Sequence, residues 1–514
     1  MKQFLIAFLS ILLATSTLSA QSRPDWIDNN GISSNHPANR FVTGFGIGED
    51  ASISDRRSLA DQNARSDLSS KFITKIQSEI LSTQRESTRA GYTNDVRNSI
   101  SSQTQLKMID VSVIHSDDQR HNRSFALAVM EIEPAIRNYS NHLEDLVQTL
   151  TNLIATAESA GNRNDIQSAL INYRKTFPLF IELGETQTIL RILQGKSPFG
   201  TQNESPIALS VTSLDIETRI NNALHENITS TSAGVVSLAE QLTAQVDEKL
   251  SLEVFPLTYR ETDFSSEFSS SFLPVLEAEL TPYFTVVSRD MTRSRSLQLH
   301  TVLTGTYWIQ DDLVRILVSL TDVKTGTKHA AATVTIPRSV IEREGIEILP
   351  RNFKKAMEDT KVFLAQDVIP GSLSLEVWTS KGSKNLLFKE NEETEIFIRV
   401  NKPCNLQVIY HMANGVRILL YNNLYVDVSK VNRVFTMPDT FYFAPPLGVE
   451  RLQVFASNEK FNEVRTRTAT YDGEIYEDVF AEDFEKHTVA MRGMKKKKTG
   501  KELSEKIVTI TTIP

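Results

Sequence analysis

The sequence has 514 residues, of which 40% are hydrophobic and 23% are charged, a composition typical of globular proteins with large cores. The formal net charge of −8 at pH 7 argues against a general nucleic-acid binder, because such proteins present basic surfaces to phosphates. The single cysteine, Cys404, excludes an internal disulfide, so the stability of the fold must come from core burial.

Residues 1–20 have the layout of a secretory signal peptide, with a basic residue, an apolar core and a small-residue end at Ala20. Gln21 follows the predicted cleavage site where a lipoprotein would carry cysteine, so no lipid anchor is expected. No later segment has the ~18 consecutive apolar residues of a spanning helix, so no transmembrane helix is expected. The sequence therefore predicts an exported protein of the periplasm or the outer-membrane periphery, or a secreted one.

Residues 21–134 are predicted to form a small α+β domain. RFVTGFGI at 40–47 is typical of a strand, and the apolar residues that recur every four positions after Ser54 predict a long helix. Two further extended runs, 105–115 and 123–133, predict a hairpin joined by the charged loop SDDQRHN. The helix would cover one face of the antiparallel sheet that these strands form.

A helical hairpin is predicted over 135–200, with a break at Gly161-Asn162. No second copy follows at a fixed period, so a solenoid is not expected. Residues 205–337 are predicted as a second α+β domain that ends in a meander of three strands.

Residues 338–370 are predicted to be a mostly helical connector. Several short extended runs with turn residues between them predict a β-sandwich of immunoglobulin type over 371–460, with Asn414-Gly415 as its strongest hairpin signal. The remaining 461–514 form a charged tail that ends in an apolar strand. The expected fold class is α+β and multidomain.

Three stretches resemble known domains of exported bacterial proteins. Pro24 and Trp26 ahead of FVTGFGIG, together with the alanine- and leucine-spaced helix, resemble the LPP-type small lipoprotein domain. VLTGTYWIQDDLVRILVSLTDVKTG resembles domains of flagellar outer-membrane accessory lipoproteins and, more distantly, the curli secretion channel and the amino-terminal domain of the TolB translocation protein. The segment 373–457, with ANGVRILLYNN and PPLGVERLQVFAS, is similar to a domain of unknown function common at the carboxyl end of exported bacterial proteins.

These resemblances imply an envelope protein and transfer no catalytic residues. They also imply partners among other envelope proteins, with self-association as an option. Gln21 departs from the lipoprotein relatives, which carry a lipidated cysteine.

No motif in the chain predicts a cofactor. The glycines Gly44, Gly46 and Gly48 lack the spacing of a dinucleotide fingerprint, since Glu49 stands where its last glycine belongs, so they are interpreted as sites of close backbone approach. The densest set of metal-ligand types is His115, Asp117, Asp118 and His121, which is a weak candidate metal site on a turn that is otherwise typical of solvated loops.

Two other stretches carry reactive residue types. The serines of DFSSEFSSSF (263–272) lack the nucleophile-elbow pattern and are predicted to cover the outer face of an amphipathic helix. Cys404 is predicted to be a small buried hydrophobe. Lys495–Lys498 are interpreted as a solvated linker. The alternatives are that they neutralise the acidic stretch 474–485, or that they contact anionic lipid or another acidic surface.

The leading hypothesis is a non-enzymatic, exported scaffold or assembly component that binds other proteins. One alternative is a hydrolase of envelope glycan or peptide that brings scattered carboxylates together in the fold. A second alternative is a glycan- or peptidoglycan-binding module that uses exposed aromatics such as Trp26, Trp308 or Trp378.

Overall fold

The computed structural model describes residues 23–83, 106–198, 211–224, 228–246, 248–260, 262–287, 301–364, 373–471, 473–480 and 502–514. The predicted signal peptide, Gln21 and Lys495–Lys498 lie outside these ranges. The chain is a mixed α+β, multidomain protein. The domain boundaries given above stay predictions.

The amino-terminal half contains two strand-and-helix units with a helical layer between them. The first unit comprises α1 (Asp25–Asp28), β1 (Phe41–Glu49), α2 (Ile53–Thr83), β2 (Ser112–Asp118) and β3 (Arg123–Glu131). The helical layer comprises α3 (Ile132–Asn162), α4 (Ile166–Arg174), α5 (Thr176–Leu193) and α6 (Ser213–Leu224). The second unit comprises α7 (Thr231–Thr243), β4 (Ser251–Val254), β5 (Thr258–Tyr259), α8 (Glu267–Leu280), β6 (Thr285–Val287), β7 (Thr301–Gln310), β8 (Leu313–Asp322), β9 (Lys328–Pro337), α9 (Arg338–Arg343) and α10 (Phe353–Leu364).

The alternate glycines of β1 let helix α2 lie directly against the first sheet. A β-carbon added at Gly44, Gly46 or Gly48 would fall 2.2, 2.1 or 1.8 Å from a backbone carbonyl oxygen of α2. The facing helix positions are Ala60 and Ala64 of the four-residue repeat and, opposite Gly48, Arg56. The prediction of close backbone approach is confirmed, and this approach extends along the strand rather than only at the turn after it.

Strand β3, the middle strand of the order β1-β3-β2, is buried on both faces because α2 packs on one face and the Trp26 cluster on the other. Alternate side chains, such as Ala126 and Ala128, belong to the core with α2, while Phe125 and Leu127 pack with Trp26 of α1. The predicted hairpin is confirmed with a shorter connection, since β2 continues to Asp118 in register with β3.

Three of the four helices of this layer, α3 to α5, occupy the range where the sequence predicted a hairpin. The second arm is divided at Lys175 into α4 and α5, and both pack against α3. Asp165 caps α4 by accepting a hydrogen bond from the Ser168 backbone N–H at 3.2 Å.

Two buried ion pairs join the helical layer to the second sheet, whose main strand order is β6-β4-β7-β8-β9. Lys328 Nζ of β9 lies 3.0 Å from Glu185 Oε1 of α5, and both side chains are at most 2% exposed. Arg315 of β8 pairs in the same way with Glu217 of α6 at 2.8 Å. The predicted β7-β8-β9 meander is confirmed as a continuous antiparallel ladder.

The prediction that serines cover the outer face of α8 is wrong for the start of this segment. Ser265, Ser266 and Ser269 are at most 1% exposed. Ser269 Oγ donates to the Leu257 carbonyl oxygen at 2.6 Å, and Ser266 Oγ lies 2.5 Å from the hydroxyl of Tyr307. A hydroxyl can be buried when it is small and finds an acceptor, so the serines pack inside with the phenylalanines.

The carboxy-terminal strands form one seven-stranded sheet, of order β11-β21-β18-β14-β15-β20-β19, and smaller sheets beside it. Its strands are β11 (Leu386–Lys389), β14 (Cys404–His411), β15 (Arg417–Val426), β18 (Val449–Ser457), β19 (Thr466–Tyr471), β20 (Glu474–Val479) and β21 (Leu503–Ile513). The smaller sheets contain β10 (Leu375–Thr379), β12 (Glu393–Thr394), β13 (Ile396–Val400), β16 (Phe435–Thr436) and β17 (Phe441–Tyr442).

Apolar residues of β10 and β13 share one core with those of β14, β18 and β21. The apolar end of the predicted tail therefore lies inside the main sheet, between β11 and β18. The opposite face of β18 is held by α10, because Arg451 donates to the Ala356 carbonyl oxygen at 2.8 Å. The immunoglobulin-like topology stays a prediction.

Candidate functional site

A cavity of about 90 Å³ opens in the carboxy-terminal β domain. We call it the aromatic pocket, because six aromatic side chains line it: Tyr410, Phe441, Tyr442, Phe443, Tyr471 and Tyr476. They come from the end of β14, from β17 and the residue after it, and from the β19-β20 hairpin, where the rings of Tyr471 and Tyr476 lie 6.2 Å apart. Aliphatic residues of β15, β18 and β21 complete the wall.

The pocket contains one carboxylate, Glu450, at the start of β18. Strand alternation explains its position, because Glu450 shares a face with Leu452 and Val454, which belong to the core. Its side chain is 2% exposed. Tyr410 Oη donates to Glu450 Oε2 at 2.7 Å, and the backbone N–H of Ala413 donates to Oε1 at 3.3 Å.

Burial raises the pKa of Glu450 to about 7, although the hydrogen bonds from Tyr410 and Ala413 favour the charged form. The partners that contact this carboxylate within the described residues are neutral groups. Burial also raises the pKa of Tyr410 well above its ordinary value, so its hydroxyl remains a donor. The pocket thus holds one proton-sensitive carboxylate in an aromatic wall.

The rim of the pocket exposes apolar surface. Tyr442, which lines the cavity, is 41% exposed. Tyr471 and Tyr476, which also line the cavity, are half-buried. Exposed apolar residues around a concave site are typical of binding surfaces.

Replacing Glu450 with glutamine is expected to remove a pH-dependent cost of folding. The folded pKa of about 7 lies above the ordinary 4.5, so the folded state holds its proton more tightly than the unfolded state. The wild type therefore loses stability as pH rises from about 4.5 through 7, by about 2 kcal/mol between pH 5 and pH 8, and the variant does not. The measurement is the rate at which a maleimide modifies the buried Cys404 thiol in β14, divided by the rate for the unfolded chain at the same pH. This ratio reports how often the structure around β14 opens.

The control for this measurement is Glu463→Gln, which changes an exposed carboxyl of the same domain. Its pH dependence should match that of the wild type. An equal pH dependence in Glu450→Gln and wild type would contradict the burial of a titrating carboxyl in the pocket.

The candidate metal ligands are divided between ion pairs rather than gathered around one point. Asp117 forms a salt bridge with Arg57 of α2 and accepts a hydrogen bond from Ser124 Oγ at 2.6 Å. The hydrogen bond from Arg57 lowers the pKa of Asp117. Asp118 Oδ2 lies 2.7 Å from His121 Nδ1. The side chain of His115 is exposed on β2. Across the described ranges, no three Asp, Glu, His or Cys side chains form a group that could hold a metal ion.

Of the other residues singled out from the sequence, Trp26, Trp308 and Cys404 are buried and Trp378 is half-buried. Trp26 and Trp308 are 5% and 7% exposed, which removes them as exposed platforms for a sugar. Trp378 is half-buried and stacks on Phe397 with ring centroids 6.0 Å apart. Cys404 is buried, as predicted, and burial raises the pKa of its thiol to about 12, so it is not a reactive thiolate.

Sequence reasoning missed Glu450, although a signal was present. In VERLQVFAS, the alternation of Leu452, Val454 and Ala456 places position 450 on the core-facing side. An acid at a core-facing strand position is unusual and marks a candidate site. The rings that surround it come from segments up to 40 residues away, and no local pattern predicts that these segments meet.

Among known protein families and curated proteins, none matches the chain. The LpoB C-terminal domain from Escherichia coli aligns at 14% identity over 21% of this chain and 97% of its own, with a TM-score of 0.18. The secreted protein HP1454 from Helicobacter pylori aligns at 9% identity over 63% of this chain and 97% of its own, with a TM-score of 0.19. These likenesses are too weak to assign a fold or a function. Over the residues described, no helix has the length and apolar character needed to cross a membrane.

Proposed function

We propose that this chain is a non-enzymatic, exported component of a bacterial cell envelope that works by binding other proteins, and that the aromatic pocket is its binding site. The observation that carries the proposal is a concave, aromatic-lined site whose rim is exposed at Tyr442. Aromatic and apolar residues around such a site favour binding of a partner's side chain. Export is supported by the layout of residues 1–20.

The alternative of a glycan hydrolase has less support at this site. Glycosidases use two carboxyl groups about 5–10 Å apart. Glu450 is the one Asp or Glu among the described residues that line the pocket. One carboxylate, held by a tyrosine and a backbone N–H, is better suited to recognition than to that chemistry.

Filling the pocket is expected to abolish partner binding. Ala444 lines the cavity and is only half-buried, so Ala444→Trp should place an indole in the opening with little disturbance of the core. Envelope proteins that co-purify with the tagged wild-type chain from its native cells should be lost from this variant by tenfold or more, about 1.4 kcal/mol.

Tyr283→Trp is the matched control, because Tyr283 follows α8 and is 58% exposed. This control should retain the partners. Equal recovery of the same proteins by Ala444→Trp and wild type would refute the pocket as the binding site. Recovery of the chain in the cytoplasm with residues 1–20 still attached would refute the export.

A further inference from the structure

We propose that the aromatic pocket takes the ammonium group of a lysine side chain presented by the protein partner. This inference rests on the proposed function and adds the chemistry of the anchoring group. It is argued from the charge, the rings and the size of the pocket.

The first argument is charge. Glu450 is 2% exposed, and the groups that contact it are neutral: the Tyr410 hydroxyl, the Ala413 backbone N–H and the Thr512 hydroxyl. A buried carboxylate is costly unless a cation pairs with it. A carboxylate has about four lone-pair sites, and these three groups occupy at most three, so a bound ammonium can donate to the remaining one.

The second argument is the aromatic wall. Rings from Tyr410, Phe441, Tyr471 and Tyr476 line the same small cavity as the carboxylate. The face of an aromatic ring attracts a cation, and this attraction strengthens when the cation is removed from water. Rings and one carboxylate together are the complement of an ammonium group. A purely apolar guest would use the rings and leave the carboxylate without a counter-charge.

The third argument is size. A cavity of about 90 Å³ is small for a branched or planar head group. Lysine carries its charge on a compact ammonium at the end of a flexible apolar stem. The exposed Tyr442 at the rim offers apolar surface to that stem.

The titratable groups around Glu450 determine how binding should respond to pH. Beside Glu450, the titratable residues that line the pocket are Tyr410, Tyr442, Tyr471 and Tyr476. Burial raises the pKa of Tyr410 and of Tyr471, which keeps both hydroxyls neutral near pH 7. His411 and Arg451 flank Tyr410 and Glu450 in sequence and therefore point to the opposite face of the sheet.

The test uses Nα-acetyl-lysine N-methylamide as the probe and the norleucine analogue as its neutral counterpart, with affinities measured by NMR titration of the full chain. At pH 8 the lysine probe should bind at least tenfold more tightly than the norleucine probe. Glu450→Gln should remove this preference, and Glu463→Gln should keep it. The affinity of the wild type for the lysine probe should fall by about 30-fold from pH 8 to pH 5.5, because a Glu450 with a pKa of about 7 becomes protonated.

Equal binding of the two probes, or a lysine preference that survives in Glu450→Gln, would overturn the inference. A pH dependence that remains in Glu450→Gln would assign the titration to another group, such as His411, and would also overturn it. These outcomes can be distinguished from a failure of the proposed function. If Ala444→Trp abolishes partner recovery and Glu450→Gln does not, the pocket binds proteins through an apolar anchor instead.

Discussion

Replacing Gly46 with alanine is expected to destabilise the first sheet by about 3 kcal/mol. The added β-carbon would lie 2.1 Å from the Ala60 carbonyl oxygen and 2.3 Å from the Ala64 backbone nitrogen. Both atoms belong to the backbone of α2, so no side-chain rotation can relieve the clash. The helix must move away from the strand, and the contacts of Leu68 and its neighbours with the sheet are lost. Hydrogen exchange of the β1 and β3 amides in the full chain measures this as a lower free energy of local opening.

Gly161→Ala is the matched control for this change. Gly161 lies near the end of helix α3, and nothing lies within 4 Å of the position that its β-carbon would take. Alanine should be neutral there, or stabilise the helix by about 0.5 to 1 kcal/mol, because glycine is the poorer helix former. Unchanged protection of β1 in Gly46→Ala would contradict the direct contact of strand and helix backbones.

Replacing Glu185 with leucine is expected to cost about 3 to 5 kcal/mol. Lys328 is 1% exposed, and its ammonium lies 3.0 Å from Glu185 Oε1 and donates to the Gly326 carbonyl oxygen at 3.1 Å. Burial raises the pKa of Glu185 even though Lys328 favours its charged form. Burying a charge at this site therefore costs free energy. Removing the carboxylate leaves the lysine buried without its counter-charge. Reduced hydrogen-exchange protection in α5 and β9 should report the loss.

The double variant Glu185→Leu, Lys328→Met separates the loss of the pair from the loss of packing. It removes both charges and retains similar side-chain volume, so it should recover most of the stability that the single change loses. A single variant as stable as the wild type would contradict the account of a buried ion pair that joins the helical layer to the second sheet. A double variant as unstable as the single one would assign the cost to packing.

The sequence predicted the glycine contact because both partners carry a local pattern. Gly44, Gly46 and Gly48 alternate as one face of a strand does, and the facing Ala60 and Ala64 are spaced as one face of a helix is. Each period is read from neighbouring residues, and the two segments adjoin in the chain. The packing of α2 on β1 therefore follows from local information.

The buried serines and the buried ion pairs could not be predicted from local sequence patterns. Ser266 is polar and its neighbours alternate poorly, so a solvent-facing position was the natural interpretation. Its burial depends on Tyr307, 41 residues away, whose hydroxyl it contacts. Lys328 and Glu185 are 143 residues apart, and each is ordinary for a surface until the other is placed beside it.

The candidate site depends partly on a local sequence pattern and partly on contacts between distant segments. The alternation in β18 fixes the direction of Glu450, and this could have been read from the sequence. The closed wall around it depends on Tyr410, on the segment after β17 and on the β19-β20 hairpin. In addition, β21 enters the sheet beside β18 from the end of the chain. Long-range strand pairing of this kind produces no periodic pattern in the local sequence, so the pocket could be identified only from the structure.

The central claim is that the protein binds envelope proteins at the aromatic pocket, and photo-crosslinking in the native cells tests it most directly. A photoreactive amino acid at Tyr442, on the pocket rim, should give a discrete adduct with an envelope protein, and one at the exposed Tyr283 should not. Adding Ala444→Trp should remove the Tyr442 adduct. An adduct of equal yield from Tyr442 and Tyr283, or one that Ala444→Trp leaves unchanged, would contradict the claim.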